Sequence, residues 1–471
     1  MRSIIKCLVP LAVIFLFAFL SSSLTACSSI GNQNTEMPNI IVIMTDDQPQ
    51  HTLPYMPVIQ KELVAKGITF SNAFATTPLC CPSRASILTG LYAHNHGVKT
   101  NRAPEGGAVA FHDQSTISVW LQDAGYRTGF FGKYLNGYND LPEGYVPPGW
   151  DDWQAFVRRD PNLDFYLNYS LNENGKVIQY GKEPQDYSTD LLAERAVKFI
   201  RESRQQPFFL FFSAFAPHQT YQAAERHKDL FKSLDEFERY RPPSFFEADL
   251  TDKPLWANDI ERPSVDYVDK VHERMLRSLM AVDDAAASLI SALERGNIRD
   301  NTIIIFMSDN GMSMGDNGVF GKNCPYDGCL RIPLVVSYPH LTSASRVDES
   351  LILNIDIAPT LIDFAGITSP TPIDGESFLP VLSSTSQGWR DGFLIEHFKD
   401  FADIEESGLA FLIPGYVGYR TDEWKYIEYE TGEIELYDLY ADPFELENLA
   451  YQDGYESIMI DLSEKIQAIL P

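Results

Sequence analysis

The sequence predicts a large α/β protein, in which a mostly parallel sheet lies between helical layers and a small α+β subdomain closes the C-terminus. Three observations carry this expectation. Short apolar runs rich in β-branched and aromatic residues recur along the chain. Segments of helical periodicity lie between them. From about Trp389 the pattern changes to strand-like and turn-rich segments that end in one helical stretch.

The elements follow in order. Asn39-Ile40-Ile41-Val42-Ile43-Met44 is a continuous apolar run, which suits a strand buried on both faces. Similar runs occupy Gly129–Phe131, Phe208–Phe212, Ile303–Met307 and Leu334–Val336. Helical patterns occupy Met56–Lys66, Ser115–Asp123, Leu191–Glu202 and Met275–Leu293. Such alternation argues for a parallel sheet covered on both sides. The tail carries a strand at Glu435–Leu439, a break at Asp442-Pro443 and a last helix. The chain therefore divides into a leader (1–26), a tether (27–37), a main domain (38–385) and a C-terminal subdomain (386–471).

Composition sets bounds. The 471 residues are 44% apolar and 22% charged, as in ordinary folded proteins. With 12% aromatics and scattered Gly and Pro, disorder and fibrous repeats are excluded. Lys and Arg number 37 against 65 Asp and Glu, a formal charge of −28. The field of such a chain repels phosphates, so nonspecific nucleic-acid binding is not expected.

Arg2 and Lys6 precede an apolar run, Cys7 to Leu20, that is short for a membrane span and reads as a signal peptide. Leu24-Thr25-Ala26-Cys27 resembles a bacterial lipoprotein lipobox. That resemblance implies cleavage before Cys27, a lipid on Cys27 and an exported protein held at the cell envelope. Without Arg2 and Lys6, 35 basic residues face 65 acidic ones, or −30. Beyond Cys7 and Cys27, the cysteines are Cys80, Cys81, Cys324 and Cys329, too few for a disulfide framework. Cys324 and Cys329 are either bridged or two free thiols.

Ligands of open α/β sheets bind beyond the carboxyl ends of strands. Here those ends read Thr45-Asp46-Asp47, Ser308-Asp309-Asn310-Gly311, Ala216-Pro217-His218 and Gly132-Lys133. Asp46, Asp47, Asp309 and Asn310 are oxygen donors without an adjacent His or Cys, which suits Ca²⁺ or Mg²⁺ rather than zinc. An isolated Asp pair is usually a solvated loop. Two pairs, each closing a buried strand, repel one another and call for a cation. The densest local pattern is Cys80-Cys81-Pro82-Ser83-Arg84 through Leu88-Thr89-Gly90. Pro82 fits the first turn of a helix and Gly90 its end. A Cys at such a start has three readings: a buried structural thiol, a thiolate of lowered pKa, or the precursor of an aldehyde. A Cys-phosphatase loop needs five residues between Cys and Arg, and only three separate Cys80 from Arg84.

Cys80 to Gly90 resembles the first signature of the sulfatase family, and Gly125-Tyr126-Arg127-Thr128-Gly129-Phe130-Phe131-Gly132-Lys133 resembles the second. The likeness runs from Pro38 to about Ala450. Gly132-Lys133-Tyr134-Leu135-Asn136 and Leu79-Cys80-Cys81 are most similar to the N-acetylglucosamine-6-sulfatase and heparan sulfatase branch. The resemblance implies an alkaline-phosphatase-like fold and hydrolysis of a sulfate monoester on a sulfated carbohydrate. It implies that a formylglycine-generating enzyme converts Cys80 to formylglycine. It implies one Ca²⁺ held by Asp46, Asp47, Asp309 and Asn310 together with the modified Cys80. Arg84 then holds the formylglycine, and Lys133, His218 and Lys322 contact the sulfate and the leaving oxygen.

The chemistry accounts for these residue types. Cations neutralise an anionic ester that otherwise repels nucleophiles. A hydrated aldehyde offers one hydroxyl to displace the alcohol and a second whose deprotonation expels sulfate. His218 suits protonation of the leaving oxygen. Two departures stand out. Leu135 occupies a place where many members have His, with Asn136 beside it, and Ser313 lies in a loop that usually contains a His. His51, near Asp46 and Asp47, is a further group that could touch substrate, while His94 and His96 could brace the signature helix. The acidic chain predicts a short, exo-type substrate in a locally basic pocket. Rival functions are a phosphodiester or phosphonate monoester hydrolase on the same metal site, and a non-catalytic glycan-binding lipoprotein. A two-zinc phosphatase lacks its His ligands here.

Overall fold

The computed structural model describes residues 37–158, 164–233, 237–342, 344–383, 389–399 and 413–470. The leader, the lipobox with Cys27, the tether before residue 37 and the 385/386 boundary lie outside the described residues.

Ten strands form the main sheet: β1 (Asn39–Thr45), β2 (Ile68–Phe70), β3 (Arg127–Gly132), β4 (Asp152–Val157), β5 (Ser170–Glu173), β6 (Lys176–Gln179), β7 (Phe208–Ser213), β8 (Thr302–Ser308), β9 (Leu334–Ser337) and β10 (Arg346–Asp348). Their order is β10-β2-β9-β8-β1-β7-β3-β4-β5-β6. The five central strands, β8 to β4, run parallel. The Leu334 strand, β9, is instead antiparallel to β8, and β5 and β6 are antiparallel additions at the other edge.

The apolar runs predict the centre because both faces of those strands are covered. Every residue of β1, β7 and β8 is buried. Side chains alternate along a strand, so Ile40, Val42 and Met44 enter one core and Ile41 and Ile43 the other. On the first face pack α1 (Cys80–Thr89) and α2 (Ile117–Asp123). On the second pack α3 (Ser188–Ser203) and α4 (Val265–Gly296). A further helix, α5 (Ile357–Phe364), joins the first face. The helix α4 begins ten residues before the predicted start, and the predicted Met56–Lys66 helix is broken into Pro57–Glu62 and a 3₁₀ turn at Val64–Lys66.

The C-terminal part is an antiparallel sheet of β11 (Gly392–His397), β12 (Tyr416–Thr421), β13 (Trp424–Tyr429) and β14 (Ile434–Asp438), covered by α6 (Glu456–Ile469). Its core contains Leu462 and Ile466 of α6 beside Phe393, Ile395 and Leu436. The cysteines Cys324 and Cys329 are bridged, which resolves that alternative.

Candidate active site

Because β8, β1, β7 and β3 are parallel neighbours, their carboxyl ends meet at one edge of the sheet. Asp46 and Asp47 follow β1, Asp309 and Asn310 follow β8, His218 lies in the loop after β7, and Lys133 follows β3. Two glycines make this convergence tight. Gly132 has φ 129°, and a Cβ there would stand 1.8 Å from the Ser213 carbonyl oxygen, so only glycine lets Lys133 turn in beside β7. Gly90 has φ 73° and ends α1 with its N–H on the Ser86 carbonyl at 2.8 Å.

Helix α1 enters this edge with every residue buried, Cys80 at its first position and Pro82 in the first turn, where a missing N–H costs no bond. Asp46, Asp47, Cys80 and His218 bring ligand atoms within 4.8 Å of one another. Lys322 Nζ lies 2.9 Å from Cys80 Sγ and 3.1 Å from Asp47 Oδ2. Lys133 Nζ lies 2.5 Å from Asp46 Oδ2 and 3.5 Å from Cys80 Sγ. Arg84, 3% exposed, donates from Nε to Asp309 Oδ2 at 2.8 Å and from Nη1 to the Lys133 carbonyl at 2.6 Å. The Asp309 Oδ1 accepts from the backbone N–H of Asp47 at 3.0 Å, which holds Asp47 in a left-handed conformation (φ 59°). Asn310 Nδ2 donates to Asp47 Oδ1 at 2.7 Å. The nine residues assigned from the sequence to metal binding and catalysis therefore lie together.

The electrostatics are lopsided toward charge. Burial alone would raise the Asp46 carboxyl, but Lys133, His218, Arg84 and Lys322 hold it far below the usual range. Asp47 is lowered likewise against burial, chiefly by Lys322 and His218. Asp309 is pushed up by burial and by Asp46. Burial also raises the Cys80 thiol well above its ordinary value, outweighing Lys133 and Lys322. Burial thus opposes the lowered thiol expected at the helix start. His218 is lowered by burial, and its Nδ1 lies 2.9 Å from the Gln219 carbonyl, which leaves Nε2 facing Asp47 at 3.5 Å.

The donor set fits a hard cation. Three carboxylates face three cationic side chains, so a divalent ion would leave an excess of positive charge, which favours an anionic ligand. Asn310 Oδ1 is buried and accepts no hydrogen bond, as expected of an oxygen aimed at an ion.

Several supporting residues escaped sequence reasoning. Ser83 donates to the Asp309 carbonyl and accepts from Asn354 Nδ2 at 2.8 Å. Ser213 accepts from Arg84 Nη1 at 2.9 Å. The Asn136 N–H meets Cys81 Sγ at 3.0 Å, and the Cys81 N–H donates to Asn101 Oδ1 at 2.9 Å, which gives the second thiol a place in the frame. Ser83 stood inside the quoted motif; Asn101 and Asn354 carried no local signal. His51 is a correction. It stacks on Tyr240 at 3.7 Å and lines a separate cavity with Asp316 and Arg331, so it does not face the reacting centre. His96 does brace α1, 3.1 Å from Ser86 Oγ, and His94 reaches Glu396 of β11 at 2.8 Å. Leu135 is buried, and Ser313 turns away to the Val319 carbonyl at 2.7 Å.

A family model for sulfatases matches residues 38–367, and one for the C-terminal part of N-sulphoglucosamine sulphohydrolase matches residues 315–470. The chain belongs to the sulfatase family. An extracellular sulfatase homologue of Drosophila melanogaster is 37% identical over 76% of this chain and 33% of its own length. Human N-acetylglucosamine-6-sulfatase is 32% identical over 88% of this chain and 81% of its own. The chain thus spans only a third of the fly sulfatase. A solved structure of a protein in complex with its substrate D-glucosamine-2-N,6-O-disulfate superposes with a TM-score of 0.78 at 26% identity, covering 92% of this chain and 97% of that one. The phosphonate monoester hydrolase of Agrobacterium radiobacter shares the fold at a TM-score of 0.72 and 23% identity.

Proposed function

We propose that this sulfatase is formylglycine- and calcium-dependent and removes sulfate from short glucosamine-type sugars of glycosaminoglycans. The observation that carries the reading is Cys80. Its thiol is buried at the first position of α1, and two lysines and two aspartates surround it. That environment suits an oxygen nucleophile and an incoming anion.

Asp46, Asp47, Asp309 and Asn310 would hold the calcium ion, which when bound supplies positive charge to the sulfate oxygens. The aldehyde hydrate made from Cys80 would supply the attacking oxygen. Arg84 anchors Asp309 and keeps Lys133 in register through its carbonyl. Lys133 and Lys322 bind and orient the sulfate from two sides. His218 Nδ1–H donates to the Gln219 carbonyl and fixes the ring, so Nε2 is the atom that faces the leaving oxygen and, in the imidazolium, gives it a proton. Printed names of the relatives, N-acetylglucosamine-6-sulfatase and a glucosamine disulfate complex, support the sugar class.

Export as a lipoprotein anchored at Cys27, and maturation by a formylglycine-generating enzyme, belong to the same proposal. The leader pattern supports export, and so does the Cys324–Cys329 bridge, a bond that persists in oxidising compartments. Loss of metabolic lipid labelling in a Cys27→Ala variant tests the anchor.

The test of the mechanism is the mass of the tryptic peptide Gly67–Arg84, after thiol alkylation, from protein made in its native host. Cys80 as an aldehyde beside an alkylated Cys81 is the expected result. Two alkylated thiols refute the formylglycine mechanism.

A further inference from the structure

We infer that Tyr221 is a further catalytic residue, whose phenol hydroxyl donates a hydrogen bond to a sulfate oxygen beside Lys322. The inference rests on the sulfatase reading and adds to it a residue that lies outside both signatures.

Tyr221 has φ 59°, a left-handed conformation that a bulky side chain adopts only under constraint. The constraint comes from the loop that follows β7. The His218 carbonyl accepts from the Tyr221 N–H at 3.0 Å and from the Tyr166 hydroxyl at 2.7 Å. Thr220 Oγ1 donates to Asp164 Oδ2 at 2.7 Å, and the Tyr187 hydroxyl donates to the Gln222 carbonyl at 2.8 Å. Both chain neighbours of Tyr221 are thus tied down. Strain held in this way gathers where a side chain must be aimed.

The aim is toward the reacting centre. Tyr221 lines a cavity of about 60 Å³ together with Asp47, His218 and Lys322. Its ring packs against the apolar cluster that contains Met312, Met314 and Phe320. Ser313, between the two methionines, turns away, so its loop brings only Met312 to the cavity. The charges of Asp47 and Lys322 reach the Tyr221 phenol. Among the described residues its hydroxyl meets no hydrogen-bond partner. A phenol is a neutral donor at pH 7, and burial here holds its proton more firmly. The cavity has the volume of roughly two liquid waters, which admits a sulfate group and excludes a sugar ring. What the hydroxyl meets is therefore the sulfate end of the ester, whose charged oxygens make strong acceptors.

Tyr221→Phe keeps the ring and its packing and removes only the hydroxyl. Titration calorimetry with sodium sulfate at constant ionic strength, on full-length protein matured in its native host and supplied with calcium, reads the contact without turnover. The expected Kd for sulfate is about tenfold or more higher in Y221F than in the parent, as for loss of a hydrogen bond to a charged group, at an unchanged Tm. Hydrolysis of glucosamine 6-sulfate and of an aryl sulfate should lose kcat/KM by the same factor, because the lost contact is with the group that both esters share. Equal sulfate affinity in Y221F and the parent, including no binding by either, overturns the inference. So does a loss confined to the sugar ester, which would put the hydroxyl on the leaving group. An affinity loss that comes with a fall in Tm of several degrees marks a structural hydroxyl and overturns it too. Failure of the parent to hydrolyse any sulfate ester counts against the function, whereas an unaltered Y221F beside an active parent counts against Tyr221 alone.

Discussion

Lys133→Met removes one charge from the reacting centre while keeping side-chain length beside Phe215, whose ring lies 5.7 Å from Nζ. Without it, three carboxylates face Arg84 and Lys322 alone, and Asp46 loses the ammonium at 2.5 Å. Breaking one partner of a buried pair costs about 3–5 kcal/mol. For a unit running from Met37 to Pro471, the per-residue melting entropy sums to about 0.9 kcal/mol per degree, so Tm should fall by about 3–6 °C in EDTA. Calcium should narrow that gap, because the ion replaces the missing positive charge on Asp46; at a hundredfold excess over Kd it contributes about 2.7 kcal/mol. The assay is a pair of thermal melts, with EDTA and with calcium, alongside kcat on a sulfate ester, which should drop about 10²–10³-fold. A variant that melts within about one degree of the parent in EDTA would refute the claim that Lys133 offsets the carboxylates.

Other outcomes follow from the same geometry. Ser83→Ala strips the Asp309 carbonyl and Asn354 of a buried partner and should cost about 1–3 kcal/mol, read as a lower Tm with reduced kcat. Replacing Cys324 and Cys329 by Ser opens a short loop and should cost about 2 kcal/mol, seen as a lower urea midpoint. Burial pushes His96 down to about 3 and His272 and His397 to about 4, from 6.5. These rings are neutral in the fold. Their stability contribution is complete above pH 6.5 and is lost as pH falls toward the folded values, because the unfolded chain binds protons first. Each should cost about 2 kcal/mol between pH 7 and 5, and His272→Gln should flatten the measured Tm–pH slope over that range.

The central sheet was legible because its strands are buried on both faces, so the apolar runs carry no polar interruption. The edge was not. Lys176–Gln179 is mostly exposed and reads as loop, and Ser170–Glu173 is too short and polar to declare itself. The first turns of α4, Val265-Asp266-Tyr267-Val268-Asp269-Lys270, lie near the surface and hide their periodicity among charges. The reacting centre was legible through motif spacing and strand ends, since parallel strands must deliver their carboxyl ends together. Burial was not. The helix start argues for a lowered Cys80 thiol, and only the packed structure shows the burial that opposes it. His51 is close to Asp46 in sequence, but the 3₁₀ turn at Gln50–Tyr55 carries it to Tyr240.

The central claim is hydrolysis of a sulfate monoester, and the fold is shared with a phosphonate monoester hydrolase, so fold alone does not separate the two. The direct measurement compares turnover of glucosamine 6-sulfate with that of an aryl phosphate diester by full-length protein matured in its native host, with calcium. The account predicts release of sulfate with the higher kcat/KM, abolished by Cys80→Ala. Faster cleavage of the phosphate diester, or sulfate release that survives Cys80→Ala, would contradict it.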